Sequence, residues 1–239
     1  MERQKRETRF WNQWNHSHRR HEDIDETTAG LGDAIVDAVR RVATAEPAIL
    51  EIGCGTGWLA PRLAALASYY EGWDLSPTAI EMASAHAPDL RFAVRDLRDG
   101  LHPHRTFDVV VMVDTIAYFD DQDAAMAVVG RLLAPGGHLV LSTVNPFVYS
   151  RISWVGPPGE GQVRNWLTRG ELVGLLERHR LEAGETRTIL PAGDTGLLRW
   201  VNARRLNRPL EALLSRGRIT RVKERLGLGQ YRLVVARRA

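Results

Sequence analysis

The stretch AILEIGCGTGWL, residues 48–59, constrains this chain more than any other part of it. A short run, apolar apart from Glu51, passes directly into three glycines at alternate positions, Gly53, Gly55 and Gly57. An apolar run with no polar alternation reads as a strand covered on both faces, the kind found in parallel sheets. Glycines straight after it permit a tight turn and let a ligand approach bare backbone. Leu59, Leu63 and Leu66 then recur with helical period, so the loop leads into a helix whose first N–H groups have no partner in the helix itself.

The same strand–turn–helix unit recurs downstream. YYEGWD (69–74) reads as a second strand ending in an acid. Ser76-Pro77 is a helix start, a cap followed by proline at the first helical position, and the helix runs to about His86. LRFAVRD (90–96) is a third strand, again ending in an acid, and FDVVVMVD (107–114) a fourth, too apolar for a wet face. Asp120 or Asp121 caps a helix ending at Pro135-Gly136-Gly137, and HLVLSTV (138–144) is the fifth strand. Thr168 and Glu171 have capping-box spacing, opening a helix with Leu172, Leu175 and Leu176 inward. Residues 181–190 and 231–237 read as the last two strands. Residues 1–45 read as helical, with Ile35, Val39 and Val42 on one face, and Pro47 ends that segment. Residues 196–226 read as helical and basic, interrupted by Pro209 and Gly217. Strands alternating with helices predict an α/β fold, a doubly wound sandwich that binds ligands at the carboxyl ends of its strands. The unusual residues fall at those ends: Gly53 to Gly57, Asp74, Asp96 and Asp114.

A carboxylate at the end of the second strand can accept both hydroxyls of a ribose, so the glycine loop with Asp74 predicts a nucleoside-containing cofactor. The spacing is G-x-G-x-G, not the G-x-G-x-x-G of dinucleotide sites, which disfavours a dehydrogenase. LEIGCGTGWL resembles motif I of the class I S-adenosylmethionine-dependent methyltransferases. YYEGWDLSPTAIEMA, FAVRDL, FDVVVMVDTIAYF and RLLAPGGHLVLST are similar to the later segments of that superfamily. The resemblance is dense over 48–143 and looser over 168–237. It implies a Rossmann-like sheet of seven strands, mostly parallel with an antiparallel last strand. A helical lid (1–45) would precede the methyltransferase domain (46–239), with 145–168 and 196–226 as acceptor-side insertions. It also implies that Gly53, Cys54, Gly55 and Gly57 line the methionine end of S-adenosylmethionine and that Glu51 supports that loop. Asp74 would take the ribose, Leu75 would pack beside the adenine, and Asp96 with the Leu97 backbone would meet the adenine amino group. Asp114 would face the transferred methyl, and the product would be S-adenosylhomocysteine. Read alone, Asp74 and Asp96 are also ordinary helix caps, and Cys54 is a small packing residue rather than a nucleophile.

The acceptor side is less marked. Phe10, Trp11 and Trp14 give an aromatic face to the N-terminal segment, and His16, His18 and His21 cluster after it. Their spacing matches no metal motif, and His18 is the candidate base beside Asp114. Trp14, Tyr118, Asn145 and Arg164 are candidate acceptor contacts, with Tyr149, Trp154 and Trp166 nearby. Asn-Pro-Pro-Tyr is absent after the fourth strand, which argues against planar amino groups of bases or glutamine as acceptors.

A single cysteine excludes an intramolecular disulfide framework and a cysteine-cluster metal site. No apolar run reaches ~18 residues, so no membrane span is expected. A cytoplasmic setting is the simplest expectation. The net charge of +3 is uneven: residues 199–239 carry +10, residues 1–21 carry +4 and the middle carries −11. Thirty of the thirty-two basic residues are arginine, alongside abundant Ala and Gly, which points to GC-rich codons as much as to function. The leading expectation is methyl transfer to an oxygen or nitrogen of a small-molecule acceptor, as in the compact ubiquinone/menaquinone-type and natural-product enzymes. The alternatives are an RNA methyltransferase docking through the basic C-terminal segment and a catalytically silent cofactor-binding partner. Oligomeric state is not legible.

Overall fold

Leu50 and Ile52 face one side of β1 (Ala48–Ile52) and Ile49 the other, and this alternation, repeated along the sheet, builds two cores at once. The computed structural model describes residues 2–17, 24–99, 105–203, 205, 207–208 and 215–239. Beside β1 lie β2 (Tyr69–Asp74), β3 (Arg91–Val94), β4 (Phe107–Val113), β5 (Leu133–Val144), β6 (Leu181–Pro191) and β7 (Gly229–Arg238). They form one seven-stranded sheet in the order β3-β2-β1-β4-β5-β7-β6. The first five strands pair in parallel, and β7 is antiparallel to both β5 and β6.

Helices cover both faces. α5 (Gln122–Leu132) and α7 (Arg169–Arg178) bring Met126, Val129, Leu172 and Leu176 against Leu50, Val110, Leu141 and Val234. On the other face α2 (Glu26–Val42) and α3 (Ala60–Ala64) place Ile35, Val39 and Leu63 against Ile49, Val109, Val140 and Leu233. Each fully buried leucine or isoleucine contributes roughly 1.5–3 kcal/mol, so neither layer can be lost without unfolding the sheet.

The caps follow local chemistry. The Ser76 hydroxyl accepts from the Ala79 N–H to start α4 (Pro77–His86), and Asp121, rather than Asp120, accepts from the Ala124 N–H to start α5. Thr168 and Glu171 form the expected capping box, with the Glu171 carboxylate accepting from the Thr168 N–H at 2.8 Å. Thr168→Ala is expected to cost about 1 kcal/mol and to lower the Tm by roughly 2–4 °C. A thermal melt unchanged from the parent would show that the box contributes nothing.

Several boundaries differ from expectation. β5 begins at Leu133, because Leu133 already pairs with Phe107; the register then jumps to Val109 with His138, and Gly136 takes left-handed backbone (φ 75°) inside that irregularity. α3 is only five residues, since the Ser68 N–H must return to the Pro47 carbonyl for β2 to begin. Gly217 does not interrupt its helix. It lies in the first turn of α9 (Arg216–Arg225), where its conformational freedom costs the helix little. Pro209 lies outside the described residues. Among the described residues, no helix is long and apolar enough to cross a membrane.

Candidate functional site

β1 has β2 on one side and β4 on the other, so the direction of winding reverses there and a crevice opens beyond the carboxyl ends of these strands. A cavity of about 1180 Å³ occupies it, above the roughly 300–1000 Å³ of an ordinary small-molecule site.

The glycine loop forms one wall. Gly53, Gly55 and Gly57 all hold left-handed backbone, with φ of 74°, 54° and 77°. The three serve different ends. A Cβ on Gly53 would lie 2.3 Å from the Thr115 hydroxyl, and one on Gly57 would lie 3.0 Å from the Ala83 Cβ of α4. One on Gly55 would meet nothing within 4 Å. Gly55 is therefore the bare-backbone cradle facing the cavity, while Gly57 packs against a helix and does not line it. Cys54 lines the loop as a buried thiol, which burial and the nearby Glu51 and Asp74 push well above its ordinary pKa.

Asp74, at the end of β2, braces this loop. One carboxylate oxygen accepts from the Gly55 N–H at 2.9 Å and the other from the Ser76 N–H at 2.8 Å. Burial raises its pKa even though the N–H groups of Ser76, Gly55 and Leu75 pull the other way. Asp74 and Leu75 both line the cavity.

Glu51 lies beneath the loop, outside the cavity lining, with 1% of its surface exposed. Its carboxylate accepts from the Tyr70 hydroxyl at 2.5 Å. Gly72 pairs with Glu51 in the ladder, and a Cβ there would sit 3.0 Å from the phenol oxygen, so the glycine makes room for this bond. Burial, opposed by the Tyr70 bond and reinforced by Asp74, pushes the Glu51 pKa from 4.5 up to about 7. A carboxyl raised in the folded state holds its proton there while the unfolded chain releases it. Stability therefore falls as pH rises from about 4.5 to 7 and levels off above, by about 3 kcal/mol from this group. Glu51→Gln keeps an acceptor for Tyr70 and is expected to remove that share of the pH dependence. Denaturant unfolding at about pH 5 and about pH 8 checks it, and an undiminished difference in the variant refutes it.

Asp96 and Leu97 line the cavity beyond β3, but Asp96 is already engaged. Arg98 grips it with Nε and Nη2 at 2.9 and 2.7 Å, and Gln4 donates to it at 2.8 Å. Burial alone would raise its pKa, but the Arg98 and Gln4 bonds outweigh that and lower it. Arg98 also donates to Glu7 at 2.6 Å. Gln4 and Glu7 belong to α1 (Glu2–Ser17), whose Asn12 accepts from the Ser76 hydroxyl at 2.6 Å. The helix is thus pinned across the ends of β2 and β3, and its Phe10, Trp11 and Trp14 roof the cavity.

Asp114 follows β4 with φ of 50°, a left-handed conformation rare for a residue with a side chain, and it lines the cavity. Its N–H donates to the Ser142 carbonyl at 2.9 Å. Tyr118 stands on the next turn with its ring 4.7 Å from Trp11, edge to face. Across the cavity Tyr149 meets Trp166 at 5.3 Å and Trp154 at 6.2 Å. Arg164 lies over Trp166, and its hydrogen bonds go to the Gly156 carbonyl and the Gln162 amide, both uncharged.

Besides Gly57, the structure corrects a second candidate. Asn145 is not in the lining: its amide donates to the Gly227 and Gly229 carbonyls at 2.9 Å each, and its oxygen accepts from buried Arg232. It fastens the turn into β7 and has no hydrogen left for an acceptor. His18 lies outside the described residues, as does His21. The sequence reading missed Tyr70, Arg98 and the polar face of α1. Arg98 was detectable two residues beyond Asp96, but the reach of α1 across more than ninety residues was not.

A family profile described as a methyltransferase domain matches residues 18–185. A ubiquinone biosynthesis O-methyltransferase from Mesorhizobium japonicum is 30% identical over 151 residues, covering 59% of this chain and 60% of that protein. A malonyl-[acyl-carrier protein] O-methyltransferase from Hahella chejuensis is 32% identical over 153 residues, covering 60% and 53%. The chain thus matches little more than half the length of these curated relatives. Among solved structures, an S-adenosylmethionine-dependent methyltransferase from Mesorhizobium loti superposes with a TM-score of 0.62 at 25% identity, covering 87% of this chain and all of that one.

Proposed function

The chain belongs to the methyltransferase-domain family, within the class I S-adenosylmethionine-dependent superfamily, and from that premise we propose that it methylates an oxygen or nitrogen of a small-molecule acceptor with an apolar, planar body. The observation that carries this reading is the division of one cavity into a backbone-and-carboxylate half and an aromatic half. The first half fits an adenosine-bearing group: Gly55 leaves open space at its Cα, and the Asp74 carboxylate lines the cavity. The second half, with Trp11, Tyr118, Tyr149 and Trp166, offers flat apolar surfaces to a flat apolar body. Arg164 adds a cation that no carboxylate neutralises among the described residues, suited to an acceptor with a negative or strongly polar edge. The O-methyltransferase names of the two curated relatives favour oxygen.

When bound, S-adenosylmethionine supplies a methyl already activated on a sulfonium. The protein's own task is positioning, which can lower a barrier by roughly 7–11 kcal/mol. Gly55 and Asp74 would hold the nucleoside end, and Glu51 would support the loop from below. The segment 1–45 would act as a lid over the domain 46–239: the aromatic face of α1 excludes water, and Gln4 and Glu7 tie it to Asp96 and Arg98. Asp114 is the chain's candidate for taking the proton of an acceptor hydroxyl. Its backbone conformation, costing about 1–3 kcal/mol, aims the residue into the cavity rather than along the strand. The segment 145–168 supplies Tyr149, Trp154, Arg164 and Trp166 to the acceptor side.

The test is a panel of phenolic, quinol, carboxylic and amine acceptors, with RNA as a further arm, incubated with purified protein and S-adenosylmethionine while S-adenosylhomocysteine is measured. Turnover is expected with an aromatic hydroxyl or amine. Turnover on RNA alone would overturn the reading.

A further inference from the structure

We propose that the face formed by residues 147–154, α8 (Gly196–Val201) and α9 seats the protein on an anionic lipid surface. Eight large hydrophobic side chains are exposed among the described residues, and six lie on these segments and at the end of α9: Phe147, Trp154, Leu197, Trp200, Val222 and Leu226. Trp154, Leu197, Trp200 and Leu226 are each about two-thirds exposed or more, far beyond what scattered surface apolar residues need explaining.

The three segments form one surface. Asp194, just before α8, accepts from both the N–H and the hydroxyl of Ser153, and the Asp194 and Thr195 N–H groups donate to the Arg151 carbonyl. At the other end of α8, the Lys223 ammonium of α9 donates to Asn202 at 3.1 Å. α9 turns Glu224 inward, its carboxylate accepting from the Leu190 N–H, and exposes Arg218, Arg221, Val222 and Arg225. α8 buries Leu198 and exposes Leu197, Arg199 and Trp200.

Charge selects the occupant. Arg199, Arg218, Arg221 and Arg225 on these segments are exposed, and none is in an ion pair among the described residues. Apolar side chains set between unneutralised guanidinium groups match the boundary of a negatively charged bilayer, where arginines meet headgroups and tryptophan and leucine enter the acyl edge. A second copy of this chain docking through the same face would set the arginines against each other. RNA would satisfy the arginines and could stack on Trp154 and Trp200, but it would leave the aliphatic Leu197, Val222 and Leu226 uncovered, whereas a bilayer takes up all of them. The absence of a membrane-crossing helix among the described residues agrees with a protein that lies on the surface. Trp154 and Thr220, from these same segments, also line the cavity, so an apolar acceptor dissolved in the bilayer would reach it without passing through bulk water.

The experiment is co-sedimentation of the full chain with phosphatidylcholine vesicles and with vesicles that also contain phosphatidylglycerol. Binding is expected only to the anionic vesicles and is expected to weaken as salt rises. The variant R218Q/R221Q/R225Q is expected to bind roughly a hundredfold more weakly. L197S/W200S is expected to lose roughly tenfold or more. Neither variant touches the loop or Asp74, so unchanged S-adenosylmethionine affinity by calorimetry certifies its fold, and either variant alone decides the question. No vesicle binding, equal binding to neutral vesicles, binding of an RNA oligonucleotide without vesicle binding, or a dimer dispersed by both variants would each overturn the proposal. The methyl-transfer reading would survive all four, because its own test uses acceptors in solution.

Discussion

Asp74→Asn is expected to weaken S-adenosylmethionine binding by at least about a hundredfold in calorimetry while leaving the chain folded. The carboxylate has two tasks. It holds the Gly55 and Ser76 N–H groups at 2.9 and 2.8 Å, one on each oxygen, and from the cavity lining it would accept from the ribose hydroxyls. Hydrogen bonds to a charged group are worth roughly 1.5–3 kcal/mol each, so losing two costs between two and four decades of affinity. Asparagine offers one acceptor oxygen and one NH₂. Whichever way the amide turns, its NH₂ confronts either the Gly55 or the Ser76 N–H, donor against donor. The loop then loosens as well, and the loss of affinity exceeds that of the ribose contacts alone. Helix α4 still has its Ser76 cap, so circular dichroism is expected to match the parent. An affinity within about threefold of the parent would remove Asp74 from the site, and NAD bound in place of S-adenosylmethionine would remove the whole assignment.

Asp114→Asn is expected to lower kcat by roughly a hundredfold or more on a hydroxyl acceptor, with little change in S-adenosylmethionine affinity. Asparagine is the informative replacement because it tolerates the left-handed backbone that Asp114 adopts, so the turn between β4 and Tyr118 survives. What it cannot do is accept a proton at neutral pH. A residue that only shaped the turn would be rescued by asparagine, whereas a proton acceptor would not. The loss should also shrink on an acceptor that is already ionised, since no proton then has to be moved. A kcat equal to the parent's on a neutral hydroxyl would assign Asp114 to structure alone.

Both substitutions concern residues that the chain announces locally. An apolar strand at 48–52, a glycine at every second position straight after it and an acid closing the next strand, 17 residues beyond Gly57, can each be read from their immediate neighbours. Local rules suffice there: burial on both faces demands a parallel sheet, and bare backbone at a strand end demands a ligand. The caps at Ser76, Asp121 and Thr168 were legible for the same reason, since a side-chain oxygen reaches an N–H three residues away. Asn145 shows where that reasoning stops. Its position after a strand end suggested a ligand contact, yet Gly227 and Gly229, more than eighty residues on, claim its amide. Arg98 with α1 is the converse case: an unremarkable arginine joins Asp96 to Glu7 and fixes the helix over the cavity.

The sequence by itself determined the order of the layers, the glycine loop and the identity of the acid beside it, because each depends on neighbours only a few bonds away. Tertiary structure alone decided which aromatic rings share a cavity, that Glu51 sits beneath the loop against Tyr70, and that exposed apolar side chains stand on segments tied together by hydrogen bonds. Those arrangements depend on how distant segments pack. A hydrogen bond or a patch of surface between residues far apart along the chain leaves no periodicity in either partner, and exists only once the sheet has set their positions.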